Sequence, residues 1–179
     1  MERLGGQVGR QGTAAGEQVR QRFGALLEAH RKIVFKVCHT YCRHADDRAD
    51  LAQEIAAQLW RAYPGYDPER PFSTWMYRIA LNVAISYVRS DGPRQRLAVP
   101  LDEDLHDLAD DSADHEAAQR VRALHRVIQQ LEPLNRALLL LYLEDRSYRE
   151  IAEVLGISET NVATKINRLK QRIRDDLTA

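Results

Sequence analysis

Ser147-Tyr-Arg-Glu150-Ile-Ala-Glu-Val-Leu155-Gly156-Ile-Ser158-Glu-Thr-Asn161-Val-Ala-Thr-Lys165-Ile-Asn-Arg168-Leu-Lys170 is the stretch whose reading decides the fold. Ser147 is placed to cap a helix, and Glu150, three residues on, completes a capping box in which the two residues satisfy each other's free backbone N–H groups. Ile151, Ala152 and Leu155 then supply the buried face of a short helix. Gly156 stops it, because glycine enters the left-handed conformation without a Cβ penalty. Ser158 caps a second helix that turns Val162, Ile166, Leu169 and Ile173 inward. This is the grammar of a helix-turn-helix. A plain helical hairpin shares the apolar spacing, but not the agreement of capping box, glycine turn, second cap and basic outer face.

In such a unit the second helix enters the major groove and its early outward residues meet base edges. Glu159, Asn161, Ala163, Thr164 and Lys165 are therefore the candidates for base readout, and Arg168 and Arg172 for phosphate contact.

Upstream, Val121, Leu124, Val127, Ile128 and Leu131 fall on one helix, Pro133 opens the next, and Ala137 to Leu143 form an apolar block. With the helix-turn-helix they make a small helical domain over residues 117–176. Before it, residues 91–116 carry Gly92, Pro93, Pro100 and a run of acids from Asp102 to Glu116, with too few periodic apolar positions for a core. That composition reads as a flexible acidic linker.

A second helical domain is expected over residues 18–90, after a Gly-rich, aperiodic tail at 1–17. Phe23, Leu26, Leu27, His30, Val34, Val37 and Tyr41 mark the stripe of one long helix or two stacked short ones. Asp46 or Asp47 can cap the following helix, whose stripe is Leu51, Ile55 and Leu59 with Trp60 beside it. The turn formers of Tyr63-Pro-Gly-Tyr-Asp-Pro-Glu-Arg-Pro71 make a loop, and a third helix opens near Phe72 and runs to about Arg89, with Phe72, Trp75, Ile79 and Val83 on one face. The fold class is all-α, in two small domains.

The formal net charge of zero conceals a strong pattern. Residues 1–100 hold 15 basic against 10 acidic side chains, residues 101–116 none against 8, and residues 117–179 hold 11 against 8. Two mildly basic blocks thus flank an acidic tether, a distribution compatible with nucleic acid where the total alone is not. No apolar run approaches the roughly 18 residues of a membrane span, and the Gly-rich start lacks the apolar centre of a signal peptide, so a cytoplasmic protein without membrane insertion is expected.

His30, Cys38, His39, Cys42 and His44 could be assembled into a metal site, but Cys38 and Cys42 lie beside the apolar stripe and read as reduced, small core residues. No metal or cofactor is assigned. The sequence has no Gly-rich phosphate loop, nucleophile elbow or metalloprotease helix, and its carboxylates fall in the linker or on solvent faces. No catalytic residue is assigned, and an enzyme is not expected.

Over about residues 20–175 the chain resembles the extracytoplasmic-function group of the sigma-70 family of bacterial RNA polymerase sigma factors. The family's Asp-Leu-x-Gln-Glu segment stands here as Asp50-Leu51-Ala52-Gln53-Glu54. Its Trp-hydrophobic-x-Arg-Ile-Ala-x-Asn segment stands as Trp75-Met76-Tyr77-Arg78-Ile79-Ala80-Leu81-Asn82, followed by Tyr87-Val88-Arg89. The fourth-region pattern appears as Leu131-Glu132-Pro133, Arg136, Tyr148-Arg149-Glu150-Ile151-Ala152 and Leu155-Gly156-Ile157-Ser158. Two segments differ: Arg48-Ala49 stands where Ala-Glu is common, and Thr160-Asn161-Val162 where Gly-Thr-Val is common, the latter suggesting an unusual promoter preference.

The resemblance implies a promoter-directing subunit with no chemistry of its own. Asp50, Leu51, Gln53 and Glu54 would dock on the clamp helices of the largest subunit of core polymerase. The loop with Tyr63 and Tyr66 and the helix with Arg78, Asn82, Ser86 and Arg89 would read and melt the minus-ten element. Ser158, Glu159, Asn161, Ala163, Thr164, Lys165, Arg168 and Arg172 would face the minus-thirty-five element, with that domain near the flap of the second-largest subunit. An anti-sigma factor is a further candidate partner, and the acidic linker would thread near the RNA exit path, its charge mimicking the transcript. The bases of a melted strand need aromatic faces, polar groups and cations, and Tyr63 to Arg89 offers all three. A stand-alone repressor or response-regulator output domain would share the helix-turn-helix without needing Asp50 to Glu54 or Trp75 to Asn82. An anti-sigma antagonist would not need the basic face of Lys165, Arg168 and Arg172.

Overall fold

The computed structural model describes the backbone over residues 8–97 and 127–178, and side chains over 16–90 and 127–176. The acidic run from Asp102 to Glu116, the helix positions Val121 and Leu124, and residues 1–7 lie outside the described residues. Among the described residues all regular structure is helical: α1 (Val8–Ala29), α2 (Arg31–Tyr41), α3 (Ala45–Ala62), a 3-10 turn (Tyr63–Gly65), α4 (Phe72–Leu97), a helical stretch at 127–130, α5 (Pro133–Leu143), α6 (Tyr148–Leu155) and α7 (Glu159–Thr178).

The stripe from Phe23 to Tyr41 belongs to two helices that break at His30, whose ring nitrogen bonds the Leu26 carbonyl at 2.9 Å. Helix α1 begins at Val8, well inside the stretch read as an aperiodic tail. The Arg, Gln, Ala and Glu residues around Gly12 and Gly16 are strong helix formers, enough to offset isolated glycines at about 1 kcal/mol each. Helix α4 likewise runs on through Gly92 and Pro93 to Leu97, past the boundary expected at residue 90.

At α3 the cap differs from the expectation. His44 holds the N-cap position without a side-chain bond, and Asp46 and Asp47 sit in the first turn, where their charge complements the helix dipole. Leu51, Ile55 and Leu59 are fully buried on one face of α3, as their spacing requires. On α4 the buried face is Phe72, Met76, Tyr77, Ala80, Leu81 and Ala84, one step around the helix from the predicted Trp75, Ile79 and Val83, which are half-buried. The reason is that α4 is covered on two sides, by α2 and α3 and also by the C-terminal helices, so its most enclosed line lies between the two.

Cys38 and Cys42 are buried free thiols at the end of α2. Burial pushes Cys38 up to about 11, and burial together with Asp47 pushes Cys42 up to about 12, so both remain protonated, unreactive packing residues at neutral pH.

In the C-terminal half, Pro133 occupies the first turn of α5, and Asp145 ends the helix in a left-handed conformation, φ 53°. The Arg146 amide donates to the Leu141 carbonyl and the Asp145 amide to that of Tyr142, both at 3.1 Å, the paired bonds of a Schellman closure. The capping box on α6 is complete: the Glu150 amide donates to Ser147 Oγ at 3.2 Å, and the Ser147 amide to Glu150 Oε2 at 2.9 Å. Ile151 and Val154 form its buried face, while Ala152 and Leu155 are half-buried at the edge. Gly156 takes φ 68°, and Ser158 Oγ accepts from the Asn161 amide at 3.2 Å to start α7.

The Ser147 amide and hydroxyl, with the Arg146 guanidinium, hold the Glu150 carboxyl below the usual carboxylate range. A depressed folded value means its contribution is complete above the unfolded pKa of about 4.3 and is lost as pH falls through the folded value. Ser147→Ala is expected to cost about 1 kcal/mol at pH 7, read as a lower urea midpoint at constant slope. The deficit of Glu150→Gln should be constant from about pH 8 to 5 and shrink below about pH 4.

The two halves pack against each other, and among the described residues their buried side chains, Val127 apart, form one hydrophobic cluster. Polar ties cross the seam as well. The Tyr41 hydroxyl donates to the Pro133 carbonyl at 2.7 Å, and the Arg136 guanidinium lies 6.0 Å from the centre of the Tyr41 ring. Arg136 also donates to the Leu131 carbonyl at 2.9 Å and to that of Gln129. Lys36 pairs with Glu144, and the Tyr77 hydroxyl reaches the same carboxylate at 3.5 Å. Arg146 lies over the Tyr77 ring at 5.4 Å. At the outer edge Arg70 meets Glu153 at 3.4 Å.

Candidate nucleic-acid interface

Helix α7 turns Val162, Ile166 and Leu169 into the core, which sets the opposite face outward. Asn161, Thr164, Arg168 and Arg172 are all exposed and recur at spacings of three and four, so they form one stripe along the helix. Ser158 and Glu159 are exposed at its start, while Ala163 and Lys165 are half-buried along its edges. The Thr164 hydroxyl donates to the Thr160 carbonyl at 2.9 Å, which leaves its lone pairs facing outward as acceptors. Arg172 meets Asp176 at 3.7 Å, whereas Lys170 is committed to packing, 4.3 Å from the centre of the Tyr142 ring. A polar, base-sized beginning followed by two guanidinium groups on one stripe suits a groove wall and then a phosphate backbone.

The N-terminal half carries a second such surface. Tyr63, Tyr66, Phe72 and Trp75 form a ring cluster at the start of α4: Tyr66 lies 5.1 Å from Trp75 and 5.3 Å from Phe72, and Tyr63 stacks on Tyr66 at 6.1 Å. Phe23 and Trp60 extend it, 5.1 Å apart. The loop is pinned by the Tyr66 hydroxyl donating to the Arg70 carbonyl at 2.7 Å and by the Glu69 amide donating to Asp67 Oδ1 at 3.0 Å. From this cluster a line of side chains leads away. Trp75, Arg78, Asn82, Ser86 and Arg89 follow one another by three or four residues, and the last four are exposed. Aromatic edges, an amide, a hydroxyl and two guanidinium groups along one helix face are what an unstacked strand requires.

On α3, Asp50, Gln53 and Glu54 are exposed on one face, where Glu54 accepts from Gln58 at 2.8 Å and lies 4.0 Å from Arg61. Leu51, grouped with them in the sequence motif, is fully buried on the opposite face and belongs to the core. Sequence reasoning passed over Glu144, Arg146 and Glu153, which join the two halves. The one signal for them was Asp145, a residue type that tolerates the left-handed conformation, placed directly after an apolar block.

The chain matches the family model for sigma-70 region 2 over residues 26–94 and that for sigma-70 region 4 over residues 121–173. It is 26% identical to the ECF RNA polymerase sigma factor SigW of Bacillus subtilis, over 87% of this chain and 88% of that protein. It is 29% identical to the RNA polymerase sigma-H factor of Pseudomonas aeruginosa, over 86% of this chain and 85% of the other. It spans 60% of the length of the ECF sigma factor SigE of Mycolicibacterium smegmatis, at 28% identity. Among solved structures its fold resembles CnrH in complex with the cytosolic domain of CnrY, with a TM-score of 0.64 and 22% identity over 89% of each chain. Two sigma-70 regions in their family order, each presenting an outward polar stripe on a helical core, place the chain in the extracytoplasmic-function group of the sigma-70 family, whose members direct promoter-specific initiation by RNA polymerase.

Proposed function

We propose that the chain divides its work between residues 18–90 and 117–176, joined by the acidic segment 91–116. The first part docks on the clamp helices of core RNA polymerase through Asp50, Gln53 and Glu54, with Leu51 holding that face in register from within. It reads and opens the minus-ten element with the Tyr63–Tyr66–Trp75 cluster and the stripe Arg78, Asn82, Ser86 and Arg89. The second part reads the minus-thirty-five element through Ser158, Glu159, Asn161, Ala163, Thr164 and Lys165, with Arg168 and Arg172 on phosphates. The protein acts by binding alone, in the cytoplasm. No helix among the described residues is long and apolar enough to cross a membrane.

The observation that carries this reading is the continuous exposed line from the aromatic cluster at Trp75 to Arg89, a surface that duplex readout by the helix-turn-helix does not need. An anti-sigma factor is a proposed further partner, since a similar structure is that of the sigma factor RpoE of Bartonella quintana in complex with the anti-sigma factor NepR. The test is run-off transcription with purified core polymerase and a promoter library, with and without this protein. Starts that share two upstream elements are the expected result. No initiation, together with tight duplex binding by the protein alone, would point to a repressor instead.

A further inference from the structure

We infer that Asn167 is a second base-reading residue of the minus-thirty-five element, its side-chain amide pairing with an adenine edge on the strand opposite to the one that Asn161 reads. This rests on the promoter reading above and deepens it. Val162, Ile166 and Leu169 are buried and so fix the inward direction of α7. At about 100° per residue, the direction opposite to them runs along Thr160, Thr164 and Gln171, all of them exposed. Asn161, Arg168 and Arg172 lie to one side of that line, roughly 50° to 90° around the helix. Asn167 is exposed about 50° to the other side, nearer the centre of the outward face than Asn161 is.

Two residues of the central line are already engaged within the helix. The Thr164 hydroxyl donates to the Thr160 carbonyl, and the Gln171 amide donates to Asp175 at 2.9 Å. The Asn167 amide has no hydrogen-bond partner among the described residues, so its N–H groups and its carbonyl oxygen are both open to a ligand. Adenine presents an acceptor and a donor side by side in the major groove, and a planar amide offers the complementary pair. The backbone beneath it is fixed, because its neighbours Ile166 and Leu169 are in the core. Arg168, at the mirror position, carries a longer side chain that passes the base edges to reach phosphate. Asn161 and Asn167 stand about 9 Å apart along the axis, roughly two to three base steps at 3.4 Å each. They are also about 120° apart around the helix and straddle Thr164, so in a groove about 12 Å wide each addresses a different strand. One strand of the element therefore carries an adenine and a thymine roughly two to three steps apart.

The test uses holoenzyme assembled from the full chain and core polymerase, bound to a promoter library randomised across the upstream element. Wild type is compared with Asn161→Ala, Asn167→Ala and Asn167→Arg. Asn167→Ala is expected to flatten selection at a single position by roughly 5- to 150-fold and to leave the salt dependence unchanged. That position should lie roughly two to three steps from the one that Asn161→Ala flattens. Asn167→Arg is expected to turn the preference there from adenine to guanine, whose O6 and N7 accept from a guanidinium group. Both substitutions are at an exposed site, so thermal melts should match the wild type; if one variant fails to fold, the other decides. A loss shared equally by all sequences would overturn the assignment, as would retention of every preference or relaxation at the same position as Asn161→Ala. A wild-type holoenzyme that selects no upstream element at all would instead overturn the promoter reading, and the role of Asn167 with it.

Discussion

Leu51→Ala is expected to destabilise the folded chain by about 2–5 kcal/mol, the cost of emptying a fully buried leucine site. Gln53→Ala, two positions away in the same motif, is expected to leave stability within about 0.5 kcal/mol because that side chain is exposed. Their effects on polymerase should be reversed in kind. Gln53→Ala and Asp50→Ala weaken docking while the protein stays folded, and Leu51→Ala weakens it only in proportion to the fraction unfolded. Urea melts of the three variants, followed by titration of each onto core polymerase at 15 °C, separate the two cases. If Leu51→Ala melts like the wild type and still loses polymerase, the residue touches the partner after all.

The second large effect is expected on α7. Asn161 is exposed at the start of the outward stripe, where an amide can pair with an adenine edge in the major groove. Asn161→Ala should therefore cost about 1–3 kcal/mol, roughly 5- to 150-fold, against the preferred base at one position of the minus-thirty-five element and relax selection there. Arg168→Ala, further along the stripe, should weaken all sequences alike and lower the salt dependence by about one counterion. Measuring holoenzyme binding across a promoter library at several salt concentrations gives both numbers. A uniform loss from Asn161→Ala would remove it from base readout.

Much of this architecture was legible in the sequence because local chemistry and burial agree there. Ser147, Glu150, Gly156 and Ser158 each occupy the position that their side chains or backbone freedom dictate, and the buried lines of α3 and α7 follow from spacing alone. The line on α4 was not. Apolar residues surround Trp75 and Met76 on both sides, and which of two adjacent faces is most enclosed depends on the C-terminal helices, long-range packing that no local pattern encodes. The same limit hid the seam. Lys36 and Glu144 are 108 residues apart, and nothing near either announces the other. Exposure of Arg78, Asn82 and Arg89 was readable as departure from the apolar stripe, whereas the burial of Leu51 required separating a family motif into its inward and outward members.

The shared core has a bearing on how long the free protein survives. Among the described residues, a cluster of buried side chains spans both halves and includes Val37, Leu51 and Tyr77 from one and Leu138, Ile151 and Ile166 from the other. Separate helical units of roughly 60–75 residues bury only about 60% of their unfolded surface and are marginal alone, so they melt together while joined and each loses support when parted. Proteases act on the populations that open. Limited proteolysis of wild type beside Glu144→Lys would expose the link, and equal cleavage rates would dissolve it. The lifetime of the free protein would then follow from the packing of its two halves on each other and not from the stability of either half alone.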